Sequence, residues 1–106
     1  MAKTDVLKFS KEKQGYSCEF ISFGKCAIQI DREKNGTLII YAKIEGMEYA
    51  LLYQYSSTQF NDNVIFELDV QKGLSVKIVS EVGVMSAKMA YEDEGLEPIC
   101  QVVEKV

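Results

Sequence analysis

The chain contains no histidine and no tryptophan, one proline and three cysteines in 106 residues. Each shortage removes a class of chemistry. Without histidine there is no Ser-His-Asp or Cys-His nucleophile in its usual form. Three cysteines (Cys18, Cys26 and Cys100), irregularly spaced, supply neither a four-ligand zinc site nor an even disulfide framework. They read as small buried hydrophobes in a reducing compartment. Without tryptophan there is no indole platform for sugars or methylated cations. No GxGxxG or GxxxxGK[ST] run is present to cradle phosphate. No stretch reaches the 18 apolar residues of a membrane-spanning helix. The opening "MAKTDVLKFSK" lacks the apolar run of a secretory signal. Together these predict a cytoplasmic protein with no cofactor and no metal.

What is present is ordinary for a globular domain. Apolar residues make up 47% and charged residues 26% of the chain. A chain of this size buries about two thirds of its surface on folding, enough for one core without staples. Residues 1–106 are therefore read as a single domain. The net charge is −4, and no basic stripe runs along the chain. This disfavours nucleic acid as a partner.

The pattern is that of β-structure throughout. Turn signals recur about every 8 to 12 residues, and the lone proline, Pro98, leaves the rest of the chain free to donate ladder hydrogen bonds. "YSCEFISF" (16–23) and "CAIQI" (26–30) flank Gly24-Lys25, which reads as a two-residue hairpin loop. That register sets Phe23 opposite Cys26 and Ile21 opposite Ile28. "DREKNG" (31–36) reads as a second hairpin loop. Asp31, Glu33, Asn35 and Gly36 match the start of a calcium loop, but its last ligand position falls on Ala42, so a turn is the better reading. Residues 37–55 form a third hairpin about Glu45-Gly46, with Ile40 opposite Leu51 and Leu38 opposite Tyr53. Counting by twos puts Leu38, Ile40, Ala42, Ile44, Tyr49, Leu51, Tyr53 and Tyr55 on a core face. "VIFELDV" (64–70) alternates cleanly, and "LSVKIVSEV" (74–82) directs Val76 and Ile78 inward. Residues 84–94 combine strand alternation with good helix formers. Acids at 92–94 would oppose a helix dipole at its C-terminus, so strand is preferred. "PICQVVEKV" (98–106) reads as a last strand.

The expectation is an all-β protein: a small antiparallel β-sandwich of eight or nine short strands joined by hairpins, with a small closed barrel as the alternative. Glu67 and Asp69, about 7 Å apart on one strand face, resemble a chance pair more than a glycosidase dyad. The chain is thus read as no enzyme but a protein-binding module. Small acidic proteins of this kind invite analogy with inhibitors, immunity proteins or accessory factors of bacteria and phages. The contact patch is placed on the mixed face of the central hairpin, at Ile39, Tyr41, Lys43, Glu48 and Leu52. A carrier of a small hydrophobic ligand inside a barrel, and a self-assembling subunit that pairs free strand edges into a homo-oligomer, are the alternatives.

Overall fold

The computed structural model describes residues 2–56 and 62–92. They form nine strands: β1 (Ala2–Val6), β2 (Ser10–Glu12), β3 (Gly15–Ile21), β4 (Cys26–Arg32), β5 (Leu38–Lys43), β6 (Ala50–Tyr55), β7 (Asn63–Leu68), β8 (Ser75–Ser80) and β9 (Val84–Glu92). A four-stranded sheet in the order β1-β9-β4-β7 and a five-stranded sheet in the order β2-β3-β8-β5-β6 carry them. Every pairing is antiparallel. The architecture is that of a small β-sandwich, and neither sheet closes into a barrel. Residues 84–92 are strand. The strand expected at 98–106 lies outside the described residues.

The connections differ from expectation. Only β2–β3 and β5–β6 are hairpins; every other consecutive pair of strands lies in opposite sheets. Gly24-Lys25 and "DREKNG" are therefore crossings between layers and not hairpin loops. β3 pairs with β2 and β8, and β4 with β7 and β9. The physical reason is that alternation fixes which face of a strand is apolar but not which strand lies beside it. Two strands facing each other across a core satisfy the same pattern as two strands side by side. In β3 the face opposite Ile21 and Glu19 turns inward. Cys18 is buried and Phe20 half-buried, while Glu19 and Ile21 point to solvent.

Each sheet is ordered about a central row. Ile28 of β4 lies between Phe66 and Met89. Ile78 of β8 lies between Cys18 and Ile40. All six belong to, or pack against, the one cluster that forms the core. Buried polar groups sit where strands leave a sheet. The Ser22 hydroxyl accepts from the Gly24 amide at 3.0 Å and donates to the Val70 carbonyl at 2.9 Å, joining two crossings at one end of the sandwich. At the other end the inward alternation of Cys26, Ile28 and Ile30 continues onto Arg32, which is 1% exposed. Its Nη1 donates to the Gly36 carbonyl at 2.6 Å and its Nε to the Asp62 carbonyl at 3.3 Å. Burial lowers its pKa while the Asp62 charge opposes that shift. A guanidinium can satisfy several carbonyls from one point, which suits it to closing the end of a core that loops cross.

Glycine is required at two turns. Gly15 adopts a φ of 138°, and a Cβ there would run into the Ser80 carbonyl oxygen. Gly46 has a φ of 88° in the turn that the Met47 amide closes onto the Ile44 carbonyl at 3.0 Å.

Candidate functional site

The central hairpin departs most from the expected geometry. Its connecting loop spans 44–49, not the two residues Glu45-Gly46. Leu38 faces Tyr55 and Ile40 faces Tyr53, but Tyr41 faces Leu51 and Ala42 faces Ala50. One residue, Leu52, is therefore extra on β6, a β-bulge. Bulging reverses the alternation: Tyr53 shares a face with Ile40, whereas Leu51 is turned onto the outer face beside Tyr41. Leu38 and Ile40 are buried as expected. Ile44 (64% exposed), Leu51 (59%) and Tyr53 (47%), expected inside, are not. Met47 (65%) and Leu52 (39%) join them. These five large apolar side chains occupy a ten-residue hairpin segment, and β6 is the last strand of its sheet. Leu51 lies on the outer face beside Tyr41 and Tyr53 on the face of Ile40, so these side chains expose the hairpin on both sides.

The expected contact residues fall in the same region with different roles. Ile39, Tyr41 and Lys43 are half-buried on the outer face of β5, Glu48 is exposed in the loop, and Leu52 is the bulged residue. Ile44, Met47, Leu51 and Tyr53 were missed. A run of apolar residues around a Glu-Gly turn is the signal they offer, and two-by-two counting assigned three of the four to the core.

Beside the apolar hairpin lies a polar network. Tyr49 is not in the β5–β6 ladder and not in the core; it lies half-buried over the outer face of the five-stranded sheet. Its hydroxyl donates to Glu19 Oε1 at 2.9 Å. Lys43 Nζ and Lys77 Nζ stand 5.0 and 6.0 Å from its ring centroid. Lys77 also pairs with Glu12 at 3.6 Å. Acids from β2 and β3 thus meet lysines from β8 and β5 across one aromatic ring. Burial, then the hydrogen bond to Glu19 and its charge, push the Tyr49 phenol up to about 12. The Ser17 hydroxyl and, more weakly, Lys77 lower the Glu12 carboxyl. This half of the outer face satisfies its own charges, and it pins the start of β6 through Tyr49.

No protein-family model matches the chain, and no curated protein matches it as a relative. The reading of function therefore rests on the molecule itself. Burial raises the Cys26 thiol and pushes that of Cys18 up to about 12, which keeps both protonated and poorly nucleophilic. Glu67 pairs with Lys25 at 3.9 Å on the exposed face of the other sheet. Among the described residues no group of three or more metal-ligating side chains comes together, and no helix is long and apolar enough to cross a membrane.

Proposed function

We propose that the protein is a non-catalytic binding module that engages a protein partner through the β5–β6 hairpin. The observation that carries this reading is the concentration of Ile44, Met47, Leu51, Leu52 and Tyr53 in water on one hairpin. Exposed apolar side chains beside Glu45, Glu48 and Lys43 have the make-up of an interface core with a polar rim. Tyr49 and its lysines hold the loop in place before binding, which reduces the ordering that association costs. Ile39 and Tyr41, on the outer face of β5, join Leu52 and Glu48 in contacting the partner. The protonated thiols of Cys18 and Cys26 and the absence of histidine from the sequence support a role without catalysis. Inhibitor, immunity or accessory protein is the analogy that a small acidic binding domain invites.

The test is recovery of a partner from extracts of the native host on immobilised full-length chain. Leu52→Ala and Tyr41→Ala each lower recovery about tenfold, the loss expected of a moderately important contact. Ile65→Ala, an exposed residue on the other sheet, leaves recovery unchanged. Equal recovery by wild type and both hairpin variants overturns the reading.

A further inference from the structure

We infer that the strand partner of β6 is a second copy of this chain, paired antiparallel about a two-fold axis near Leu52 and Tyr53. The inference rests on the hairpin being the binding surface and names what covers it. Among the described residues four strands form sheet edges, and three of them carry charge: Lys3 and Asp5 in β1, Lys11 and Glu12 in β2, Glu67 in β7. β6 alone, "ALLYQY", carries none. Charge, proline, short length and bulges are the usual protections against pairing with another chain. β6 carries neither charge nor proline, and its bulge adds an outward leucine.

Self-pairing has a strict requirement. In a two-fold interface each residue meets the same surface it belongs to, so any charge meets a like charge or must be offset by an opposite one nearby. In every antiparallel register of residues 50–55 with their own copy, all facing pairs are uncharged. With the axis between Leu52 and Tyr53, Leu52 faces Tyr53, Leu51 faces Gln54 and Ala50 faces Tyr55; the Leu52–Tyr53 pair is of the aliphatic–aromatic kind that stabilises adjacent strands. The flanking acids decide the direction. Glu45 and Glu48 precede β6, so an antiparallel arrangement sends the two sets of acids to opposite ends, whereas a parallel one would stack them. Edge pairing over residues 50–55 leaves Ile44 and Met47 of the loop outside it, so the interface is a small one, of the size found in weak associations. The product is a continuous ten-stranded sheet in which each copy contributes five strands.

The test is sedimentation equilibrium of the full chain from roughly 1 µM to 1 mM, the range in which an interface of this size would dissociate. Wild type moves with concentration from 12.0 kDa to twice that mass, and hydrogen exchange of the β6 amides slows in step. In Leu52→Lys with Tyr53→Lys each lysine is present twice at the interface. The dissociation constant rises about 100-fold, at about tenfold per substitution. Both positions are exposed, so thermal midpoints stay near wild type and loss of the dimer is not loss of the fold. Ile65→Lys, on the opposite sheet, dimerises as wild type does. A wild type that stays monomeric at about 1 mM overturns self-pairing. So does a dimer that survives the double lysine variant or is broken by Ile65→Lys. A monomeric wild type whose hairpin variants still lose a host partner would reject the second copy and leave the binding reading standing. Unchanged recovery in those variants would reject the binding reading itself.

Discussion

Cys18 faces the core from β3, opposite Ile78, and its thiol holds its proton because the thiolate would have to exist without water. Its pKa rises from the ordinary 9.0 to about 12, with burial the dominant cause and the Ile78 backbone a smaller opposing one. A raised folded-state pKa stabilises the fold in full below the unfolded value and loses that contribution as pH climbs. Above about pH 9 the unfolded chain releases its thiol proton and the folded chain does not, so stability falls by about 1.4 kcal/mol per pH unit until about pH 12. Cys18→Ala should be less stable at neutral pH, because it leaves a small void, yet lose stability less steeply between about pH 9 and 11. Urea titrations across that range compare the two slopes, and equal slopes would refute the assignment. That Cys18 is buried was legible in the chain, since a cysteine among aromatic and β-branched residues is more often packed than reactive. Arg32 was not legible. Nothing in "DREKNG" distinguishes a guanidinium that closes the core from one on a solvated turn, because its carbonyl partners come from loops distant in sequence.

The β6 strand illustrates how one inserted residue defeats counting by twos. Leu38, Ile40, Val76 and Ile78 were placed correctly because β5 and β8 are regular and flanked on both sides. Leu51 was misplaced because Leu52 adds a residue between the pairs Ile40–Tyr53 and Tyr41–Leu51. Met85 sits at a second such irregularity: between the pairs Asp31–Ser86 and Arg32–Val84 it has no opposite residue, and it is exposed. Removing the extra residue should therefore leave the flanking pairs intact. Deletion of Leu52 is expected to give a folded protein in which Tyr41 still faces Leu51 and Ile40 still faces Tyr53, now as consecutive pairs. Cross-strand NOEs between those protons decide it. A slid register, with Tyr41 facing Ala50, would mean that the bulge is imposed by something other than Leu52. The hairpin loop was misjudged because a Glu-Gly pair suits a two-residue turn, while Tyr49 is held elsewhere by Glu19 and two lysines.

Six of the eight connections cross between the layers, so the two sheets are interleaved along the chain and cannot form separately. Stability should then be cooperative, and a void in either central row should weaken the whole. Ile78→Ala removes a side chain that is fully buried between Cys18 and Ile40. A loss of about 3 kcal/mol is expected, within the range for buried isoleucine truncation. In chemical denaturation it should appear as one transition with its midpoint lowered and its slope unchanged. Two separated transitions would contradict the interleaving. The surface follows from the same arrangement. Among the described residues the sandwich has four sheet edges, and β6 alone of them carries no charge, so the position of the apolar hairpin is set by topology as much as by composition.

Read alone, the sequence determined the class of structure and most of the core. Period-two alternation and regularly spaced turns commit the chain to strands, and burial of apolar area selects Cys26, Ile28, Ile30, Leu38, Ile40, Val64, Leu68, Val76 and Ile78 for the interior whichever strands are neighbours. Its lack of histidine limited the available chemistry just as directly. Neighbour choice belongs to the tertiary structure. Hydrogen bonding between backbones is indifferent to side-chain identity, so sheet order, crossings, bulges and the identity of the edges emerge only when nine strands compete for pairing at once. The hairpin that stands in water is a consequence of that competition.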